Sequence, residues 1–162
     1  MEEIIDIGTS KLNIDDEWYN KFCNKYEKDE TTKNSRAVFR FDWQRFLWAF
    51  ILGISAEKRT PLTQKTKSPP FGKEVFNGCS KILKTMIALT LQELYKDNPD
   101  ELKKDFEVAT EKGENLGRKI KIAIEEYANT GFSILNSRGK EKLGYIESLE
   151  CVVEDILSGK TW

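Results

Sequence analysis

The chain has 162 residues, 39% hydrophobic and 33% charged, with a formal net charge of -1 and no histidine. That length suits a single helical domain over 1–162 that can bury a core without metal or disulfide help. The lack of histidine excludes Ser-His-Asp and Cys-His catalysis and the usual zinc constellations.

Residues 1–12 have the look of an irregular or short extended arm. A first helix is predicted from near Asn13 or Asp15, where acidic residues suit the positive end of the helix dipole. Its apolar stripe is Trp18, Phe22 and Tyr26, with Cys23 beside it, and the polar KDETTKNSR stretch connects it onward. Residues 41–62, FDWQRFLWAFILGISAEKRTPL, carry the strongest signal in the chain. Trp43, Phe46, Leu47, Phe50, Ile51 and Ile54 follow helical spacing, while Phe41, Trp48 and Leu52 cover much of the remaining circumference. A helix apolar on nearly every side belongs at the centre of a domain. Asp42 suits its N-cap, and its far end delivers Lys58, Arg59, Thr60 and Pro61 to the surface.

Residues 59–73, RTPLTQKTKSPPFGK, hold three of the four prolines and no helical period, so they form a long basic loop. Loops of that length in a compact domain are usually functional or mobile. The helical pattern returns from Glu74 through Val75, Cys79, Ile82, Leu83, Met86, Ile87, Thr90 and Leu94. Asn98-Pro99-Asp100-Glu101 then reads as a helix start, followed by a buried side of Leu102, Phe106 and Ala109. A further helix carries Leu116, Ile120, Ala123, Ile124 and Tyr127. Asn129-Thr130-Gly131 either ends it or lies inside it where a neighbour packs closely. Beyond a turn at Ser137-Arg138-Gly139, a last helix is predicted from Tyr145, Ile146, Leu149, Val152, Val153, Ile156 and Leu157. No stretch sustains a period of two. The prediction is an all-α bundle of about five to seven helices.

Three scattered cysteines, Cys23, Cys79 and Cys151, form no disulfide framework and fit a reducing cytoplasm. The acidic MEEIIDIG start lacks a secretion signal, and Gln44 and Arg45 interrupt the best candidate membrane span. A cytoplasmic protein with no membrane partner is expected.

Most catalytic readings fail. No Gly-rich loop ends in GK[ST]. Pro99-Asp100 and Glu101-Leu102-Lys103 mimic the two halves of a nuclease metal site, but they overlap at a helix start that capping explains. Glu125 and Glu126 are adjacent on a helix and do not face each other, which suggests a solvated face. Cys79 and Cys151 fall on apolar stripes and read as small hydrophobes. No catalytic residue, metal or cofactor is expected.

The charge is unevenly distributed. Between Lys33 and Lys73 nine Lys or Arg face only Asp42 and Glu57, a balance of +7 that leaves -8 for the rest of the chain. From this segment Arg36, Arg40, Lys58, Arg59, Thr60, Lys65, Lys67 and Lys73 are the candidate residues for contact with a partner or nucleic acid. Such a set can neutralise phosphates without reading bases. Alternatively it pairs with the acidic remainder of the chain.

Two blocks resemble a known family. FLWAFILGISAEKRTPL is similar to the aromatic-alanine-rich helix and basic KRTPL-like turn of small accessory proteins in bacterial DNA-phosphorothioation (Dnd) systems. IEEYANTGFSIL resembles their EYANGG-type segment, with Thr130 where a second glycine is usual. The blocks keep the family's order and, with their connecting helices, span about residues 40–136. The resemblance implies a non-catalytic accessory subunit of a DNA-modification or antiphage system, working through a larger ATPase or nuclease partner. It implies Lys58, Arg59 and Thr60 as a contact surface, Tyr127 as an aromatic anchor and Asn129 as a turn residue. DNA is the second candidate partner. The alternative is a stand-alone nucleic-acid-binding module centred on residues 33–73.

Overall fold

The computed structural model describes residues 12–23, 42–64, 80–112 and 116–139. Five helices follow one another: α1 (Asp16–Trp18, continuing as a π-helical turn over Tyr19–Cys23), α2 (Asp42–Ser55), α3 (Ser80–Tyr95), α4 (Pro99–Lys112) and α5 (Gly117–Gly139). There is no strand among the described residues, and the fold is all-α as its periodicities predict. The predicted helical start at Glu74, Tyr26 and the last helix at Tyr145–Leu157 lie outside the described residues.

The core is built on α2 and α5. Phe46, Ala49, Phe50 and Leu52 of α2 meet Ile120, Ala123, Ile124, Tyr127, Ala128 and Phe132 of α5, all nearly inaccessible to water. A fully buried Phe or Ile contributes roughly 1.5–3 kcal/mol, so this seam is the main apolar contribution to the fold. A run of rings ties in the first helix: Trp18 to Phe22 at 6.2 Å, Phe22 to Phe132 at 5.5 Å, and Phe132 to Phe46 at 6.4 Å. Tyr127 stands edge-on to Phe50 at 6.3 Å. Burial, followed by the charge of Glu93, pushes its phenol above the ordinary range.

Two glycines let the helices approach this closely. A Cβ on Gly53 would sit 1.9 Å from the Tyr127 carbonyl oxygen, and one on Gly131 would sit 1.7 Å from that of Ala49. The earlier residue of α2 meets the later residue of α5, so the two run antiparallel. Gly131 therefore lies inside α5 at a close crossing and does not end the helix. The expectation that α2 is the innermost rod needs correcting. Ile51 of α2 is 37% exposed, whereas α5 buries Glu125, Asn129 and Thr130 along with its apolar stripe. The central element is α5, because two irregular segments cover the side that α2 leaves open.

α2 stops in a Schellman motif: Glu57 N–H donates to Ile54 C=O at 2.9 Å, and Lys58 N–H donates to Gly53 C=O at 3.4 Å. Glu57 takes the left-handed position, with φ 50°. The Lys96 ammonium at the end of α3 pairs with Glu57 and, at 2.7 Å, with Glu93.

Elsewhere α3, α4 and α5 meet at a polar junction. Asp105 accepts from the Tyr95 hydroxyl at 2.5 Å and from the Lys119 ammonium at 2.6 Å, and that ammonium lies 4.8 Å from the Tyr95 ring centre. The hydrogen bond from Lys119, followed by that from Tyr95, holds the Asp105 carboxyl below the usual carboxylate range. A depressed folded value means that the stabilisation is present above the unfolded pKa, about 3.9, and is lost as pH falls through the folded value. Asp105→Asn is expected to lose about 1 kcal/mol at neutral pH, a figure reduced for the partial exposure of both partners. In urea titrations that deficit should shrink towards zero as pH falls through the folded value; an equal deficit at neutral and at strongly acid pH would contradict the assignment.

Candidate contact surface at the Lys58–Gln64 turn

Beyond the Schellman stop, the chain does not project into solvent. It folds back along α5. Thr60 N–H donates to the Glu126 carbonyl at 3.2 Å. Asn129 Nδ2 donates to the carbonyls of Thr60 at 3.2 Å and Pro61 at 3.1 Å. The Thr60 and Thr130 hydroxyls share a hydrogen bond at 2.9 Å. On its other side the Asn129 amide oxygen accepts from the Trp18 indole N–H at 2.5 Å. One buried amide therefore satisfies three groups from two other parts of the chain.

The turn has a second clamp in the segment leading to α1. The Asp15 carboxylate accepts from Thr63 N–H and Thr63 hydroxyl, both at 2.8 Å, and from Gln64 N–H at 3.2 Å. Asp16 N–H returns a bond to the Gln64 carbonyl at 2.8 Å. Asp15 occupies the N-cap position of α1 but makes no side-chain cap there, because its carboxylate is turned to the neighbouring loop. Asn13 anchors the segment by donating its backbone N–H (2.7 Å) and side-chain amide (2.9 Å) to Glu125 Oε1. Lys121 sits 3.6 Å from the same oxygen. Glu125 is thus a buried acceptor and not part of a solvated face.

This frame places the sequence-predicted contact residues plainly. Lys58 and Arg59 are exposed at the start of the turn, and Thr60 is partly buried with its N–H, carbonyl and hydroxyl all bonded to α5. Arg59 lies 3.7 Å from Glu126 with its side chain 43% exposed. Such a surface pair is worth under ~1 kcal/mol and leaves the guanidinium open to a partner. Arg36, Arg40, Lys65, Lys67 and Lys73 lie outside the described residues.

Sequence reasoning missed Asp15, Trp18, Glu125 and Thr130 as members of this network. Asn129, a turn residue by the family resemblance, sits within α5, the second of the two placements that its spacing left open. The available signal was a polar triplet, Glu125, Asn129 and Thr130, at helical spacing inside an otherwise apolar stripe. Chemically, the arrangement presents cations on a fixed backbone, suited to carboxylates or phosphates. Among the described residues no group of three or more Asp, Glu or Cys could hold a metal ion. Asp100 and Glu101 are exposed in the first turn of α4. No helix of the described residues is long and apolar enough to cross a membrane.

No curated protein and no solved structure matches the chain. The family described as DNA sulphur modification system-associated protein 4 matches residues 26–157, including α2, α5 and the whole Lys58–Gln64 turn, and the chain belongs to that family.

Proposed function

We propose that this protein is a non-catalytic accessory subunit of a prokaryotic DNA-modification or antiphage defence system. In this reading it works in the cytoplasm by binding a larger ATPase or nuclease subunit. Family membership supplies the system. The observation that carries the contact role is the immobilised turn, whose backbone groups are bonded inward while Lys58 and Arg59 face outward. A contact loop already fixed in one conformation loses less entropy on binding than a free one.

The charges around the turn favour a protein partner over DNA. Glu57, Glu93 and Glu126 lie among Lys58, Arg59 and Lys96, so the local field is nearly balanced. A phosphate backbone needs an excess of cations, which a carboxylate-bearing protein surface does not.

The test is capture of the system's other purified subunits by the full chain. The double substitution Lys58→Glu with Arg59→Glu is expected to weaken capture at least about tenfold, with the thermal midpoint unchanged because both side chains are exposed. Undiminished capture would remove the turn from the interface. A mobility shift of duplex DNA at low salt, lost in the same variant, would instead favour the nucleic-acid reading.

A further inference from the structure

Residues 12–23 owe their shape to the rest of the chain more than to themselves. Their regular structure is three α-helical residues and a five-residue π-helical turn, far below the length at which a helix persists alone in water. Their polar groups point outward instead. Asn13 gives two donors to Glu125, Asp15 takes three from Thr63 and Gln64, and Trp18 donates to Asn129. Asp16 adds a reciprocal pair with Gln64, donating its N–H to the carbonyl and accepting from the side-chain amide at 3.1 Å. Each of these partners lies 48 or more positions away in the chain. Leu12, Ile14, Trp18 and Phe22 of the same segment enter the core.

Apolar anchors with a few convergent polar groups are the means by which a protein seats a peptide. The seat has three reading points. The buried Glu125 carboxylate suits a donor amide. The N–H groups of Thr63 and Gln64, with the Thr63 hydroxyl, suit a carboxylate. The Asn129 amide oxygen suits an indole N–H. All of these receptor groups fall within the family-matched residues 26–157, and the seated segment precedes them. Asp15 shows which demand prevails, since it leaves the N-cap of its own helix unmade to fill the seat.

We infer that α5 and the Lys58–Gln64 turn form a recognition site for a peptide of the pattern Asn-x-Asp-x-x-Trp, which the chain fills in cis with its own residues 12–23. Filling the site sets the far end of the turn, because Thr63 and Gln64 are bonded to Asp15 and Asp16 whereas Thr60 and Pro61 are held from α5. Residues 12–23 are therefore a strap that readies the contact surface. That last step rests on the accessory-subunit reading; the recognition site does not.

The experiment uses a fluorescein-labelled synthetic peptide of residues 12–23 and the full chain carrying Asn13→Ala, Asp15→Ala and Trp18→Ala. A segment tethered in cis competes at an effective concentration in the millimolar range, so the peptide should bind the substituted chain at least about tenfold more tightly than the wild type. A peptide bearing the same three substitutions should not bind. Amide exchange at Thr63 and Gln64 should quicken in the substituted chain and slow again when the peptide is added. A second form of the protein avoids any substitution in the strap: a protease site inserted between Cys23 and Asp42 is cut after folding, and the cut protein should take up the labelled peptide in exchange for its own segment. Uptake by neither form, equal binding to the wild type and the substituted chain, or unchanged exchange at Thr63 and Gln64 would overturn the proposal. So would a wild-type dimer that the three substitutions dissociate, which would give the strap to a second copy. If the peptide restores the turn while capture of the purified subunits is the same with and without it, the site stands and the contact role of the turn falls. If Lys58→Glu with Arg59→Glu abolishes capture while no form takes up the peptide, this proposal alone falls.

Discussion

Replacing Gly131 with alanine is expected to destabilise the protein by about 3 kcal/mol or more, although the same change in an exposed helix interior gains about 1 kcal/mol. The reversal of sign has a geometric cause. The new Cβ would lie 1.7 Å from the Ala49 carbonyl oxygen, 2.4 Å from its carbon and 2.7 Å from its Cα. All three are backbone atoms, so no rotamer change relieves the clash and the helices must separate. Separation would loosen Phe46, Phe50 and Phe132 together, since they pack along the same seam. At 2–4 °C per kcal/mol for a chain of this size, the thermal midpoint should fall by about 6–12 °C. Gly53→Ala should behave alike, its Cβ meeting the Tyr127 carbonyl oxygen at 1.9 Å. The double variant should lose less than the two singles together, because helices already parted by one methyl accommodate the second more cheaply. Scanning calorimetry and urea unfolding measure all three; a stabilised Gly131→Ala protein would show that the seam is not this close.

The second large effect is expected at Asn129. Alanine there leaves the Trp18 indole N–H without its acceptor and the carbonyls of Thr60 and Pro61 without their donor. A buried polar group left unpaired costs about 1–3 kcal/mol, so a loss of about 2–4 kcal/mol is expected after partial relaxation. Asn129→Asp separates the two halves of the role: it retains an acceptor for Trp18 but turns a carboxylate oxygen towards two carbonyls. It should rescue little of the loss. Trp18→Phe alone should cost less than Asn129→Ala, and combining the two should be clearly non-additive. Amide exchange at Thr60, Thr63 and Gln64 provides the local readout. Faster exchange there, with α3 unchanged, is the expected pattern. Unaltered exchange and a loss below ~1 kcal/mol would mean that other bonds hold the turn.

The helices were legible wherever one apolar stripe faces one neighbour. Met86 and Thr90 of α3 and Ala109 of α4 are buried as their spacing predicts. Pro99 opens α4, following Asn98, whose carbonyl accepts from Glu101 N–H at 3.1 Å. What sequence could not rank was centrality. α2 is the more apolar helix, yet α5 is the more enclosed, because its polar residues bind backbone from residues 12–18 and 58–64. Glu125 looks like a solvent-facing acid until Asn13, 112 residues away, supplies two donors. Local spacing carries no information about such distant pairings. The turn shows the same limit: its cations were legible, but Thr60 and Asn129 acquire their roles only through contact across 69 residues.

The wide separation of these partners in the chain bears on synthesis as well as on the folded state. α2 leaves the ribosome about 80 residues before the end of its apolar counterpart α5. At 5–20 residues per second, its aromatic surface waits roughly 4–16 s for cover. Until then Phe46 and Phe50 have no seam to enter, and the Lys58–Gln64 turn has no helix to grip. The nascent chain therefore carries an uncovered aromatic surface over that interval. The turn cannot take its folded form before translation has passed Thr130, the last α5 residue that it binds.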